Sequence, residues 1–304
     1  MKNGLGFRND AMLTNRDLEA IDRTVYQAKE EELSARLVFR LKTDDPPGAE
    51  SIGYDMITRR GAAKIFSYGG VDDVPLVDAD VKRHVQRVYG IVLGMNVDVQ
   101  SKRAAQMANR PIDTIKAEAC RRGIAESENR FFYIGSQAHN AYGLTTATGV
   151  QVYAVATNGQ DTPSTLWKAK TGEQIIEDIR QVRKKVNTQP GLTADTLMLP
   201  PDQYEDLDRP VNSERYELTI RQWLKNQGWF KTISKEKALE KAGTGGMASM
   251  VVCDSSVVQL SIPMDLTRHP EVLLANLASR INFEERTGGA VIRYPLGICR
   301  GDGI

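Results

Sequence analysis

The feature that most limits how this chain can fold is a stretch of strand-like alternation across residues 51–93 in which charged side chains fall on both faces. Residues 51–58 alternate through Ile52, Tyr54 and Met56, and residues 81–93 read as one long valine-rich strand carrying Arg83, His84 and Arg87. Between them Arg59-Arg60-Gly61 reads as a charged break and residues 64–68 as a returning strand, with Gly69-Gly70 opening an acidic turn at Asp72-Asp73. A strand pair that buries one face must segregate polar from apolar positions by parity. This one does not. Such a long hairpin has too little apolar surface for a core of its own, and is predicted to be stable only when laid across another surface.

The rest of the chain has the means to fold. Its 304 residues correspond to roughly two domains of about 150 residues each. The hydrophobic fraction of 41% and charged fraction of 26% exclude a largely disordered or collagen-like polymer. Forty basic against 39 acidic side chains leave a formal charge of +1, which argues against a dedicated DNA reader. It does not argue against a protein that merely surrounds nucleic acid. Cys120, Cys253 and Cys299 are widely separated and form no CxxC pair, so a disulfide framework or thiolate zinc site is not expected, and a reducing cytoplasm is the expected place of synthesis. Residues 1–10 are polar, and the longest nearly apolar stretch, residues 89–97, is about half a membrane span. A soluble intracellular product without a membrane partner is expected.

Residues 1–35 read as a polar arm. Leu18, Ile21, Val25 and Leu33 fall at helical spacing behind a capping pattern at Thr14 and Asp17. So thin a stripe must lie against the body of the chain or a neighbour. Leu37, Phe39 and Leu41 alternate as a strand, followed by a strong turn signal at residues 44–48. The middle is helical over residues 100–109 and again from Pro111 to about Ile134, with Ile112, Ile115, Ala119, Gly123 and Ile124 forming a narrow stripe and Cys120 on its buried side. The small residues suggest another backbone passing closely. Gly135 ends this helix, and Tyr142-Gly143-Leu144 leads into coil.

An α/β-like unit spans about residues 149–249. Thr171-Gly172-Glu173-Gln174 is a capping box opening a helix with Ile175, Ile176, Ile179, Val182 and Val186 on one face. Residues 196–199 read as a short buried strand and Pro201 as a helix start. Residues 213–227 read as a helix with Tyr216, Ile220, Trp223 and Leu224 inward, residues 231–233 as a strand, and residues 243–246 as a flexible loop. Strands return at residues 250–253, 257–262, 274–284 and 290–294, with Gly288-Gly289 as the turn between the last two. The class is α+β, with one α/β-like unit inserted between two parts of a more extended one.

No constellation for catalysis, cofactor or metal emerges. Gly243-Thr244-Gly245-Gly246 lacks the Lys-Ser/Thr pair of a phosphate loop, because Met247-Ala248 follows it. His84, His139 and His269 lie far apart, and there is no GxSxG elbow. Asp72 and Asp73 point to opposite sides if extended, which suits a solvated turn. Arg183-Lys184-Lys185 sits in the last turns of its helix, where cations suit the macrodipole.

The order of segments, and several runs within it, resemble the major capsid proteins of tailed double-stranded DNA phages, which have the Hong Kong ninety-seven-type coat fold. Pro47-Gly48-Ala49-Glu50 with Ile52-Gly53-Tyr54-Asp55 and Arg60-Gly61-Ala62-Ala63-Lys64-Ile65 looks like that family's extended loop, and Asp73-Val74-Pro75-Leu76-Val77-Asp78 like the strand returning from it. Asn109-Arg110-Pro111-Ile112-Asp113-Thr114 is similar to the entry of its spine helix, residues 196–204 to its axial domain, and Arg286-Thr287-Gly288-Gly289 with Arg293-Tyr294-Pro295-Leu296 and Gly301-Asp302-Gly303-Ile304 to its end. The likeness spans roughly residues 36–304 and is weakest in the arm.

The resemblance implies an N-terminal arm (residues 1–35), an extended loop (36–80), a peripheral domain in two parts (81–148 with the spine helix, and 250–304 with the return strands) and an axial domain (149–249). It implies a structural subunit that assembles with itself into pentamers and hexamers of an icosahedral head, made in the host cytoplasm and located in the virion, enclosing double-stranded DNA non-specifically. Intersubunit contacts are expected from Arg59, Arg60 and Lys64 on the loop and Asp72 and Asp73 at its base. The arm is too short for an internal scaffold, so a separate scaffolding protein or none is expected, along with a portal and decoration proteins. Lys64 could donate to an isopeptide cross-link by position, but no catalytic glutamate can be assigned. An encapsulin-like compartment, with the same fold around enzyme cargo, and a cytosolic enzyme with an α/β domain are the alternatives.

Overall fold

The computed structural model describes residues 33–61, 63, 76–107, 112–160, 162–212, 218–274 and 278–304. The expected arm helix lies outside the described residues. Helices and strands are mixed, as the α+β reading requires.

The strand Ser51–Arg60 pairs antiparallel with Asp78–Arg87 through ten consecutive residue pairs, from Ser51 opposite Arg87 to Arg60 opposite Asp78. Two expectations change here. Arg59 and Arg60 continue the strand instead of breaking it, because their backbones complete the ladder opposite Ala79 and Asp78. The single strand expected over residues 81–93 is two, Asp78–Arg87 and Tyr89–Asp98, which separate at Val88 and pair with different partners. The returning strand expected at residues 64–68 lies outside the described residues.

Tyr89–Asp98 lies antiparallel to Ala278–Thr287 over ten residue pairs, and that strand also pairs with Met264–Arg268 and Val272–Leu273. The helix Ile112–Ile134 packs on this sheet. Cys120 and Ile124 from the helix join Met95, Val97, Ile281 and Phe283 in one buried cluster. The neighbour met by Gly123 is the Leu93 side chain, 3.0 Å from where a Cβ would stand, rather than a second backbone. At the helix end Gly135 has φ of +77°, and a Cβ there would stand 2.3 Å from the Ala141 carbonyl. Only glycine permits both the left-handed turn and that approach.

A second cluster joins Phe132 and Tyr133 from the same helix to Phe39, Leu144, Val258, Leu260 and Ile292. Phe39 reaches it differently from the expected alternating strand: Ala35–Val38 is a short helix, and only Arg40–Lys42 is a strand, parallel to Val258–Ser261. Val258–Ser261 pairs on its other edge with Gly289–Ile292. Gly288-Gly289 is therefore a crossing between two sheets and not a hairpin turn, because the strands before and after it have no ladder in common.

The inserted unit is built on a five-stranded sheet in the order Gln151–Ala154, Ile298–Asp302, Ser249–Cys253, Thr196–Leu199, Thr232–Lys235. This sheet runs across the expected boundary at residue 249, since Ser249–Cys253 pairs with Thr196–Leu199 on one side and with Ile298–Asp302 on the other. The helix Gly172–Asn187 packs on it through Ile175, Ile176, Ile179, Val182 and Val186. Each of those side chains contributes about 1.5–3 kcal/mol by burial. The Thr171–Gln174 capping box forms as its sequence predicts. The helix expected over residues 213–227 is shorter, Ile220–Asn226, because Thr219 is extended and caps it through a second box with Gln222. Residues 213–217 lie outside the described residues.

Candidate assembly surfaces

Among the described residues, the contacts that fix the hairpin to the body lie at one end. On one face of its ladder Ile52 is buried, the Tyr54 hydroxyl donates to the Ile292 carbonyl at 2.8 Å, and the Gln86 amide donates to the Ala290 carbonyl at 3.1 Å and to that of Gly288. Arg286 reinforces the root by donating to the Ala49 carbonyl at 3.0 Å and to that of Pro47. The Tyr54 and His84 rings stack across the ladder with centroids 5.4 Å apart. The opposite face is turned to solvent: Ile57 is 61%, Val81 57% and Val85 63% exposed, and Leu76 in the connection is 88% exposed. Ile57 and Val81 are directly paired, so their side chains form one apolar spot.

The expected contact residues are only partly placed. Arg59 and Arg60 occupy the end of the ladder away from the root, beside Ala79 and Asp78. Lys64, Asp72 and Asp73 lie outside the described residues, so the five are not seen together.

A charged cluster that sequence reasoning missed holds the start of the described chain. The Arg36 guanidinium meets Glu128 of the long helix at 2.7 Å, Glu285 of the long strand at 2.5 Å, and Asp265 at 3.1 Å. Both glutamates are buried, and Asp265 is exposed. Burial, with the neighbouring Glu128 charge, pushes the Glu285 carboxyl up to about 8, and burial also raises Glu128. Burial alone would lower Arg36, but the three carboxylates hold it above its ordinary value. The Ala35 amide donates to Asn129 at 3.0 Å, and the Ser34 hydroxyl bonds Tyr133 at 2.6 Å and Glu236. Arg36 and Glu285 are 249 positions apart, so no local pattern signals their meeting.

Beside the hairpin root lies a cleft of about 690 Å³ whose walls include Tyr54, His84, Arg87, His139, Tyr142 and Arg293. Elsewhere, the glycine loop expected to be flexible forms a short turn, Thr244–Gly246, tied down by Asp302. That carboxylate accepts from the Thr244 amide at 3.0 Å and from its hydroxyl at 2.8 Å, so these donors are already satisfied. Arg183, expected at a solvated helix end, instead lies over the Trp229 ring at 5.2 Å. Among the described residues, no group of three or more His, Cys, Asp or Glu side chains is placed to hold a metal ion, and no helix is long and apolar enough to cross a membrane. The three cysteines are free and buried, and burial pushes the Cys299 thiol up to about 12.

Residues 61–304 match the family described as "Major capsid protein". No curated protein matches the sequence. Among solved structures, the capsid of Myoviridae phage XM1 is 12% identical, covering 97% of this chain and 100% of its own, with a TM-score of 0.81. The capsid of the native GTA particle, with C5 symmetry, is 10% identical over 99% of this chain and 98% of its own, with a TM-score of 0.69. The virus-like particle from Pyrococcus furiosus is 11% identical over 87% of this chain and 90% of its own, with a TM-score of 0.55.

Proposed function

Because the chain belongs to the major capsid protein family, and is therefore a structural shell subunit, we propose that it forms pentamers and hexamers of an icosahedral phage head around double-stranded DNA. The observation that carries this reading is the hairpin, anchored among the described residues at its root, whose apolar face of Ile57, Val81 and Val85 is exposed. Apolar surface of that kind is retained where a second molecule buries it.

The five-stranded unit is the axial domain in this reading, nearest the capsomer axis. The helix Ile112–Ile134 with its sheet is the peripheral domain, and the hairpin reaches an adjacent subunit. Arg59, Arg60, Lys64, Asp72 and Asp73 contribute to that contact. Closed symmetry repeats each contact on every copy, so many modest interactions add into a stable shell. A formal charge of +1 limits repulsion among the copies. A portal completes the head, with or without a separate scaffolding protein and decoration proteins, and assembly takes place in the host cytoplasm.

Negative-stain microscopy with light scattering tests the proposal. Closed icosahedral particles, or isolated rings of five and six, are the expected result. A monodisperse dimer or tetramer without shells, with or without a scaffold protein, overturns it. The likeness to the Pyrococcus furiosus virus-like particle gives the second reading, a protein compartment, and the content of purified particles separates the two: packaged DNA for the head, protein cargo for the compartment.

A further inference from the structure

We propose that two adjoining cavities beside the hairpin root form a nucleotide site, in which guanidinium groups hold the phosphate and Tyr142 carries the base. Such binding is a property of the single subunit and is independent of whether shells form.

The cleft of about 690 Å³ at the root adjoins a second cavity of about 760 Å³, and Asn140, Ala141 and Tyr142 are their common wall. Arg87, Arg293, His84 and His139 line the first and Arg130 the second, while no carboxylate lines either among the described residues. The chain as a whole has 40 basic and 39 acidic side chains, so a wall of one sign is not a consequence of composition. Arg87, Arg130 and Arg293 are exposed, and they form no ion pair among the described residues. Arg293 donates to Gln259 at 3.1 Å, which orients its guanidinium and leaves further donors free. Guanidinium groups that share a cavity without counter-charges repel one another, and an anion between them removes that cost.

The rings that face the same space select the kind of anion. Tyr142 is 54% exposed although its segment is fixed: Ala141–Tyr142 pairs with Gly135–Ser136, and the left-handed Gly135 turns the chain there. In the first cavity the Tyr54 and His84 rings stack at 5.4 Å, and the Tyr89 hydroxyl donates to the His139 carbonyl at 3.0 Å. These rings are held in place before anything binds, which lowers the entropy lost on binding. Cations beside fixed, exposed rings suit a phosphate joined to a flat heterocycle. The guanidinium fork takes the phosphate oxygens, and the ring face takes the base. A bare phosphate would leave the rings in water. Cavities of this size admit a mononucleotide or a short stretch of single strand. A duplex keeps its base faces stacked on one another and offers none to Tyr142.

Calorimetric titration of the intact chain tests the site. Deoxyadenosine monophosphate is expected to bind at least tenfold more tightly than inorganic phosphate or deoxyadenosine, since each of these lacks one half of the contact. Arg87→Gln with Arg293→Gln is expected to weaken it by about tenfold or more, and Tyr142→Ala by about fivefold or more. Absence of binding overturns the proposal. Equal affinity for the nucleotide and inorganic phosphate means an adventitious ion only and overturns it as well, as do unchanged affinities in the variants. A short single-stranded oligodeoxyadenylate separates the sources of the nucleotide. Tighter binding than the monophosphate assigns the site to a strand, and equal or weaker binding assigns it to a free nucleotide. A duplex of the same length that binds as tightly as the single strand overturns the proposal.

A label on the unaltered chain covers loss of folding in the variants. Photolysis of bound 8-azidoadenosine monophosphate is expected to mark the peptides containing Tyr142 or His84. A chain left unmarked at both overturns the proposal.

Discussion

The five-stranded unit and the hairpin are both made of paired strands, yet they keep their stability in different places. In the five-stranded unit every residue of Thr196–Leu199 and Ser249–Cys253 is buried, and the helix Gly172–Asn187 closes one face with a continuous aliphatic stripe. In the hairpin a ladder of equal regularity leaves Ile57, Val81 and Val85 in water. Each hairpin strand is paired along one edge, whereas Ser249–Cys253 is paired along both, so backbone pairing already differs between the regions. Side-chain burial separates them further. The first region is stable by its own contacts, and in the proposed shell the second gains its stability from a neighbouring copy.

The contrast is sharpest for substitutions that remove the same kind of atom from each region. Leu197→Ala, in the centre of the five-stranded sheet, is expected to cost about 2–5 kcal/mol in chemical denaturation of the unassembled subunit. A cost below about 1 kcal/mol would mean that this sheet, too, depends on neighbours.

Next in size is a pH effect at Glu285, which joins the body to the start of the described chain. Its folded pKa of about 8 lies above its ordinary value of 4.5. Between those values the folded state holds a proton that the unfolded state releases, so stability is complete below about pH 4.5 and is lost as pH rises towards 8. The slope is at most about 1.4 kcal/mol per pH unit. Glu285→Gln, which keeps the shape and cannot ionise, is expected to flatten this decline in thermal unfolding measured from pH 5 to 9. An unchanged slope would assign the pH dependence to other groups.

The smallest effect belongs to the hairpin. Ile57→Ser is expected to change the stability of the unassembled subunit by less than about 0.5 kcal/mol. The same change should lower the yield of assembled particles measured by light scattering. A large loss of stability in the unassembled chain would show that the hairpin is covered from within, and the comparison between the two regions would collapse.

Legibility in the sequence divides along similar lines. Local signals read true: the Thr171 capping box, the buried strand at residues 196–199 and the helix closing at Gly135 depend on neighbours in the chain. Pairing was not legible. Gly288-Gly289 looks like a hairpin turn, but it passes between sheets because Tyr89–Asp98 and Val258–Ser261 capture the strands on either side. The alternation of Leu37, Phe39 and Leu41 is shared by a helical turn and a strand, since Ala35 is drawn to Asn129 and Phe39 to Phe132. The candidate surfaces were visible as an excess of charge on a strand pair. The residues facing the cleft were not, because Arg87, His139 and Arg293 are brought together only by the tertiary fold.

The position of Ile298–Asp302 has a consequence for the order in which the subunit is made. This strand lies between Gln151–Ala154 and Ser249–Cys253, and its register sets Cys299 opposite both Gln151 and Val252. The sheet therefore stays open along two edges until this late segment has been synthesised. Topologies with such distant pairings fold slowly, and exposed strand edges recruit other chains in the meantime. A cell making many copies at once faces a race between completion of each sheet and association of unfinished ones. Insertion of Ile298–Asp302 pairs both of those edges and so removes them as sites for such association.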